Sequence, residues 1–233
     1  MTVTFLPGSY CGVAPPPASV WSAWNLDPIL LTGLMLMWLM VGRRPMGSLA
    51  MLALVVAFVS PLCAMAAGLF SARVVHHVLL VAVAAPLLAA GMPRRGGQPG
   101  LHFALSTAIL WLWHLPQAYD LALSDIAVYW IMQISLLGSA LLFWSAVLSQ
   151  RSLAQAMLWS LAGLIQMGML GAILTFAPAP LYAAHDMAPL AWGLTPLADQ
   201  QLGGLIMWVP AMVPYAAMIA LQARRGWQMA ERA

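Results

Sequence analysis

Residues 127–149 read AVYWIMQISLLGSALLFWSAVLS, without a single charged side chain. At 1.5 Å per residue such a stretch crosses a hydrocarbon core of about 30 Å as one helix. Working outward in both directions, comparable apolar segments lie at roughly 26–42, 48–69, 73–91, 101–118, 153–177 and 200–222. The chain of 233 residues is 63% hydrophobic and 6% charged, against about 25% charged for a soluble domain. Its polar groups cannot cover its own surface, so its solvent is lipid. The expected fold is an all-α integral membrane protein, a bundle of seven transmembrane helices. The expected organisation is a proline-rich extracytoplasmic tail over 1–25, a membrane domain over 26–222 and a basic cytoplasmic tail over 223–233. Residues 1–27 lack the basic and apolar regions of a cleavable signal peptide.

Charge sets the expected orientation. Arg43-Arg44, Arg94-Arg95, Arg151, Arg224, Arg225 and Arg232 follow alternate spans on one side, while Asp27, Asp120, Asp125, Asp186 and Asp199 fall on the other, with Arg73 as the lone base there. The positive-inside rule puts the arginine side in the cytoplasm, the N-terminus outside and the C-terminus inside. Short arginine clusters at span ends are topology signals and exclude nucleic acid as a partner. Asp27-Pro28 reads as an N-cap and an N1 proline. Pro61, Pro86, Pro210 and Pro214 fall inside spans, where each frees a carbonyl that a neighbour must satisfy. Gly163, Gly168, Gly171, Gly203 and Gly204 fit close helix contacts. There is no internal repeat of the transporter kind, and no nucleophile elbow, phosphate loop or HExxH. The chain is therefore not expected to be an enzyme.

Four of the five histidines, His76, His77, His114 and His185, thread to the side that the arginines avoid. Ionisable groups at membrane depth are costly and usually functional, and imidazole is the commonest metal ligand. Arg73 and His77 are four apart and share a helix face. His114, on a span running the other way, reaches about the same depth. Imidazole with soft sulfur suits Cu(I). His77 and His114 are therefore expected to anchor a copper site, with His76, His185, Met65, Met187 and Cys63 as additional candidates. Cys63 can instead pair with Cys11 if the tail folds back on the second span. A second reading gives the two anchors to a haem b as axial ligands. In a third, the chain is a scaffold or accessory subunit whose histidines bond carbonyls or carboxylates such as Asp120.

Three stretches resemble the CtaG family of seven-span assembly factors for bacterial cytochrome c oxidase. They are Ser71-Ala72-Arg73-Val74-Val75-His76-His77-Val78-Leu79-Leu80 followed by Ala85-Pro86-Leu87-Leu88; Trp113-His114-Leu115-Pro116 with Tyr119-Asp120; and Trp192-Gly193-Leu194 with Pro196-Leu197-Ala198-Asp199-Gln200-Gln201 and Gly204-Leu205-Ile206-Met207-Trp208-Val209-Pro210. The resemblance runs from Trp24 to about Leu221. It implies a bacterial inner-membrane protein that matures a haem–copper oxidase, with oxidase subunits as partners and copper delivery on the outer face. It also marks a departure. Where the family's third span reads His-Met-x-x-His-Met, this chain has Arg73, Val74, His77 and Val78, so one ligand position carries a cation. Asp199, followed by Gln200, is expected either to cap the last span or to orient a histidine, and Asp120 to position one.

Overall fold

The computed structural model describes residues 10–92 and 97–231; residues 1–9, Arg94-Arg95 and Arg232 lie outside them. Prolines open most of its helices, because a missing N–H costs nothing at a position where the N–H has no intrahelical acceptor. Pro28, Pro45, Pro61, Pro99, Pro116 and Pro196 begin α1 (Pro28–Val41), α2 (Pro45–Phe58), α3 (Pro61–Gly68), α6 (Pro99–Leu112), α7 (Pro116–Ser124) and α10 (Pro196–Trp208). Between them lie α4 (Phe70–Val78), α5 (Ala85–Gly91), α8 (Ile126–Leu148) and α9 (Leu153–Thr175), and α11 (Val213–Ala230) closes the chain. Side chains supply the missing acceptors at several starts. Asp27 accepts from Ile29 N at 2.8 Å, Asp125 from Val128 N at 2.9 Å and Thr195 from Ala198 N at 3.1 Å. No strand occurs among the described residues.

Among the described residues, four helical stretches are long and apolar enough to cross a membrane: Phe70–Gly91, Ile126–Leu148, Leu153–Thr175 and Pro196–Ala230. The pair α2–α3, bent by 48°, makes a fifth if it is one span. α1 and α6 are apolar but have only 14 residues each, about 21 Å at 1.5 Å per residue. Several expected boundaries change as a result. The segment 101–118 ends as a helix at Leu112, because Pro116 disfavours helical backbone at Leu115, which is extended at φ −69°, ψ 129°. The segment 48–69 breaks at Ser60-Pro61. The last segment starts four residues early, at Pro196. Pro210 interrupts it with a 3-10 turn over Pro210–Met212, and α11 carries it to Ala230.

A π turn, Leu79–Ala84, joins α4 to α5. In it Ala85 N donates to Leu80 O, five residues back. The next bond of that ladder would run from residue 86 to Val81 O, but Pro86 has no N–H. The indole Nε1 of Trp144, on α8, donates to Val81 O at 3.0 Å instead. α4 lies against α10, and α10 against α9. There Gly171 and Gly204 let backbones touch: a Cβ on Gly171 would lie 2.8 Å from Gly204 O.

The tail does fold back. Asn25 N donates to Val59 O at 2.9 Å, Tyr10 stacks on Tyr129 at 5.3 Å, and Cys11 and Cys63 form a disulfide.

Candidate metal centre

Three of the threaded histidines meet at the tail-bearing end of the bundle. His76 and His77 follow one another on α4, and His114 sits in the turn between α6 and α7. Ring centroids are 5.8 Å apart for His76 and His77 and 6.1 Å for His77 and His114. All three are buried, at 0%, 2% and 6% exposure. Neither ring nitrogen of His76 or His77 has a hydrogen-bond partner, and neither does Nε2 of His114. His114 Nδ1 lies 2.7 Å from Leu110 O. A carbonyl only accepts, so Nδ1 carries the proton and Nε2 keeps its lone pair. That is the tautomer a metal-binding imidazole needs, with its second nitrogen held by a carbonyl.

The spacing fits a shared ion. With metal–nitrogen bonds of about 2.0 Å, two imidazoles on opposite sides of one ion put their centroids about 6 Å apart. A two-coordinate site of that kind belongs to a soft monovalent ion. Among the described residues no group of three or more His, Cys, Asp or Glu side chains is arranged around one ion.

The remaining candidates sit elsewhere. Cys63 is bonded to Cys11, which withdraws its thiolate from the ligand set. His185 Nδ1 donates to Gly68 O at 2.9 Å and its Nε2 faces Tyr119 OH at 2.7 Å, so it has no nitrogen left for an ion. Met187 is 63% exposed. Met65 packs in a separate small cluster with Ala66, Leu69 and Ala72.

The carboxylates hold backbone rather than imidazole. Asp199 accepts from Phe70 N at 2.6 Å, Ser71 N at 3.2 Å and the Ser71 hydroxyl. It therefore caps α4, while Thr195 caps Asp199's own helix. Asp120 accepts from Ala184 N at 3.3 Å, and Gln200 Oε1 from Leu181 N at 2.7 Å. Together these bonds, with Tyr182 OH donating to His114 O at 2.9 Å, fasten the 176–195 connection over the histidines.

Arg73 is fully buried one turn before His76 and His77. Its Nε donates to Ala66 O at 3.0 Å, and its guanidinium carbon is 5.4 Å from the centre of the Tyr129 ring. Its two terminal nitrogens have no hydrogen-bond partner. A fixed positive charge thus stands beside the imidazoles, held by a helix-end carbonyl and a π face.

Residues 94–228 match the sequence model of the cytochrome c oxidase caa3 assembly factor family, more than half of the chain. The chain belongs to that family. No curated protein and no solved structure matches it. The matched stretch holds His114, Asp120, Asp199 and Gln200, whereas Arg73, His76 and His77 precede it. Tyr119, Tyr129 and Tyr182 also belong to the site, through His185, Arg73 and the His114 carbonyl respectively. Tyr119 adjoins Asp120 in the Trp113–Asp120 stretch that resembles the family, and that adjacency is its signal; Tyr129 and Tyr182 carry none.

Proposed function

We propose that this family member is an assembly factor that holds copper, as Cu(I), between His77 and His114 and passes it to a cytochrome c oxidase subunit. One observation supports this most: three buried imidazoles lie together with unpaired ring nitrogens, and His114 is fixed with Nε2 free. Unpaired polar groups at such burial are costly, and an ion offsets that cost. Arg73, three and four residues from His76 and His77, repels any cation placed there, a divalent one more than a monovalent one. The hold is accordingly loose, which suits a protein that gives its metal away. Copper is cargo in this reading, and no catalytic step is involved.

The setting we propose is the bacterial inner membrane, crossed seven times if α1, α6 and the bent α2–α3 pair each count as a span. The histidine end then faces outward. Two features support that orientation: in the sequence every arginine but Arg73 follows a span on the opposite side, and the Cys11–Cys63 bridge belongs in an oxidising compartment. Loading the purified protein with Cu(I) should give stoichiometric copper. His77→Ala with His114→Ala should lose it while retaining the parent's thermal unfolding profile. Equal copper in parent and double variant sinks the site. A stoichiometric Soret band in the purified protein would transfer both imidazoles to a haem b. In cells lacking the gene, residual oxidase should keep its haem and lack copper.

A further inference from the structure

A different feature opens between α1 and α8, toward the lipid-facing surface. It is a crevice of about 670 Å³, lined among others by Gly33, Leu34, Phe58, Trp130, Gln133 and Leu137. Ile29 and Ile134 flank it at 84% and 67% exposure, so it is open from the side of the bundle. Its lining is apolar apart from two places. At the mouth, Tyr10 OH donates to Asp27 at 2.6 Å, and Asp27 is further held by Ile29 N. In the depth lies Gln133, 1% exposed, with neither Oε1 nor Nε2 hydrogen-bonded. An amide buried in hydrocarbon without a partner is rare. One that lines a cavity points to an occupant that supplies the partner.

Size, depth and charge narrow that occupant. The volume falls in the small-molecule range of about 300–1,000 Å³ and is too small for a transmembrane helix. Gln133 lies seven residues into α8, about 10 Å along the axis at 1.5 Å per residue. A phospholipid headgroup would have to leave water to reach it, at a large desolvation cost. No charged side chain lines the crevice below Asp27. We propose that the crevice binds one neutral, hydrocarbon-soluble amphiphile of the quinol or prenol class, entering from the lipid between α1 and α8. Its hydroxyl donates to Gln133 Oε1 and accepts from Nε2, which satisfies both ends of the amide with a single group. Nothing in this depends on copper at the histidines.

The test titrates a tritium-labelled benzoquinol bearing a decyl chain against the purified protein in nanodiscs of zwitterionic lipid. Saturable binding of one probe per chain is expected. Gln133→Leu should weaken it about two- to thirteenfold, the range of one net hydrogen bond. Gly33→Trp should abolish it: a Cβ at Gly33 meets nothing within 4 Å, so the new side chain has room to fill the crevice. Without any variant, dodecanol should compete with the probe better than dodecane by a similar factor. Unsaturable partitioning in the parent overturns the proposal, as does parent-like binding by both variants or equal competition by alcohol and alkane. Displacement of the probe by phosphatidylglycerol would show a phospholipid site, and displacement by a co-purified membrane protein a docking groove. Either result also overturns it.

Discussion

By sequence His185 is one more imidazole on the side that the arginines avoid; the structure makes it a clasp. Its two nitrogens join Gly68 at the end of α3 to Tyr119 on α7. Burial pushes its pKa down to about 4, partly opposed by the bond to Gly68 O. The sign follows from proton counting. Between the ordinary histidine value of about 6.5 and 4, the unfolded chain binds a proton that the folded protein refuses, so stability rises with pH across that window. The contribution is complete above about 6.5 and is lost as pH falls toward 4, with a total on the order of 3 kcal/mol. Unfolding temperature measured from pH 7.5 to 4 should fall less steeply in His185→Gln than in the parent; identical slopes would remove the clasp. The sequence already sets His114 apart, in a family motif at the end of a span, and leaves His185 as an additional candidate in a connection; it does not say what either ring bonds. The difference lies in the partners. His114 bonds one nitrogen to a carbonyl four residues back and keeps the other free, whereas both partners of His185 come from segments 66 and 117 positions away.

At the scale of the element, the sequence was legible wherever a rule is local. Asp27-Pro28 announced a cap and a helix start, and the long uncharged runs announced α8 and α9, whereas Pro61, read as lying inside a span, opens a helix of its own. It was less legible where neighbours compensate for a local defect. Pro86 signals a freed carbonyl, but not that a π turn forms before it or that Trp144 closes the ladder. Trp144→Phe should therefore destabilise by about 1–3 kcal/mol, the cost of a buried acceptor left unpaired. Pro86→Ala restores an N–H five residues after Val81 and should recover part of that loss in the double variant. A thermal-unfolding double-mutant cycle measures the coupling, and strictly additive effects would mean the indole and the proline act independently. Asp199 teaches the same lesson. Its position near the start of α10 suggested a cap for that helix, but Thr195 already fills the role, and the carboxylate is free to cap α4. Capping chemistry was readable from the residue type; the helix it serves was not.

For the whole molecule, hydropathy and arginine placement conveyed the class and the family motifs conveyed kinship, while the closing of the tail end depended on contacts far apart in sequence. The disulfide ties residue 11 to residue 63 across 52 positions. It also seats Tyr10 against Tyr129 and Trp130. Cys11→Ser should cost about 2–4 kcal/mol by the loop-closure account, read as a lower unfolding temperature; an unchanged value would show that the tail is held by packing alone. The Asp199 cap has a consequence in time. The start of α4 is completed by a side chain 128 and 129 positions further along the chain. A membrane protein is made from its N-terminus, so His76 and His77 are inserted long before their helix can be finished. The start of α4 is thus completed only once α10 has been synthesised and docked, so a truncated or stalled chain would leave that helix end uncapped.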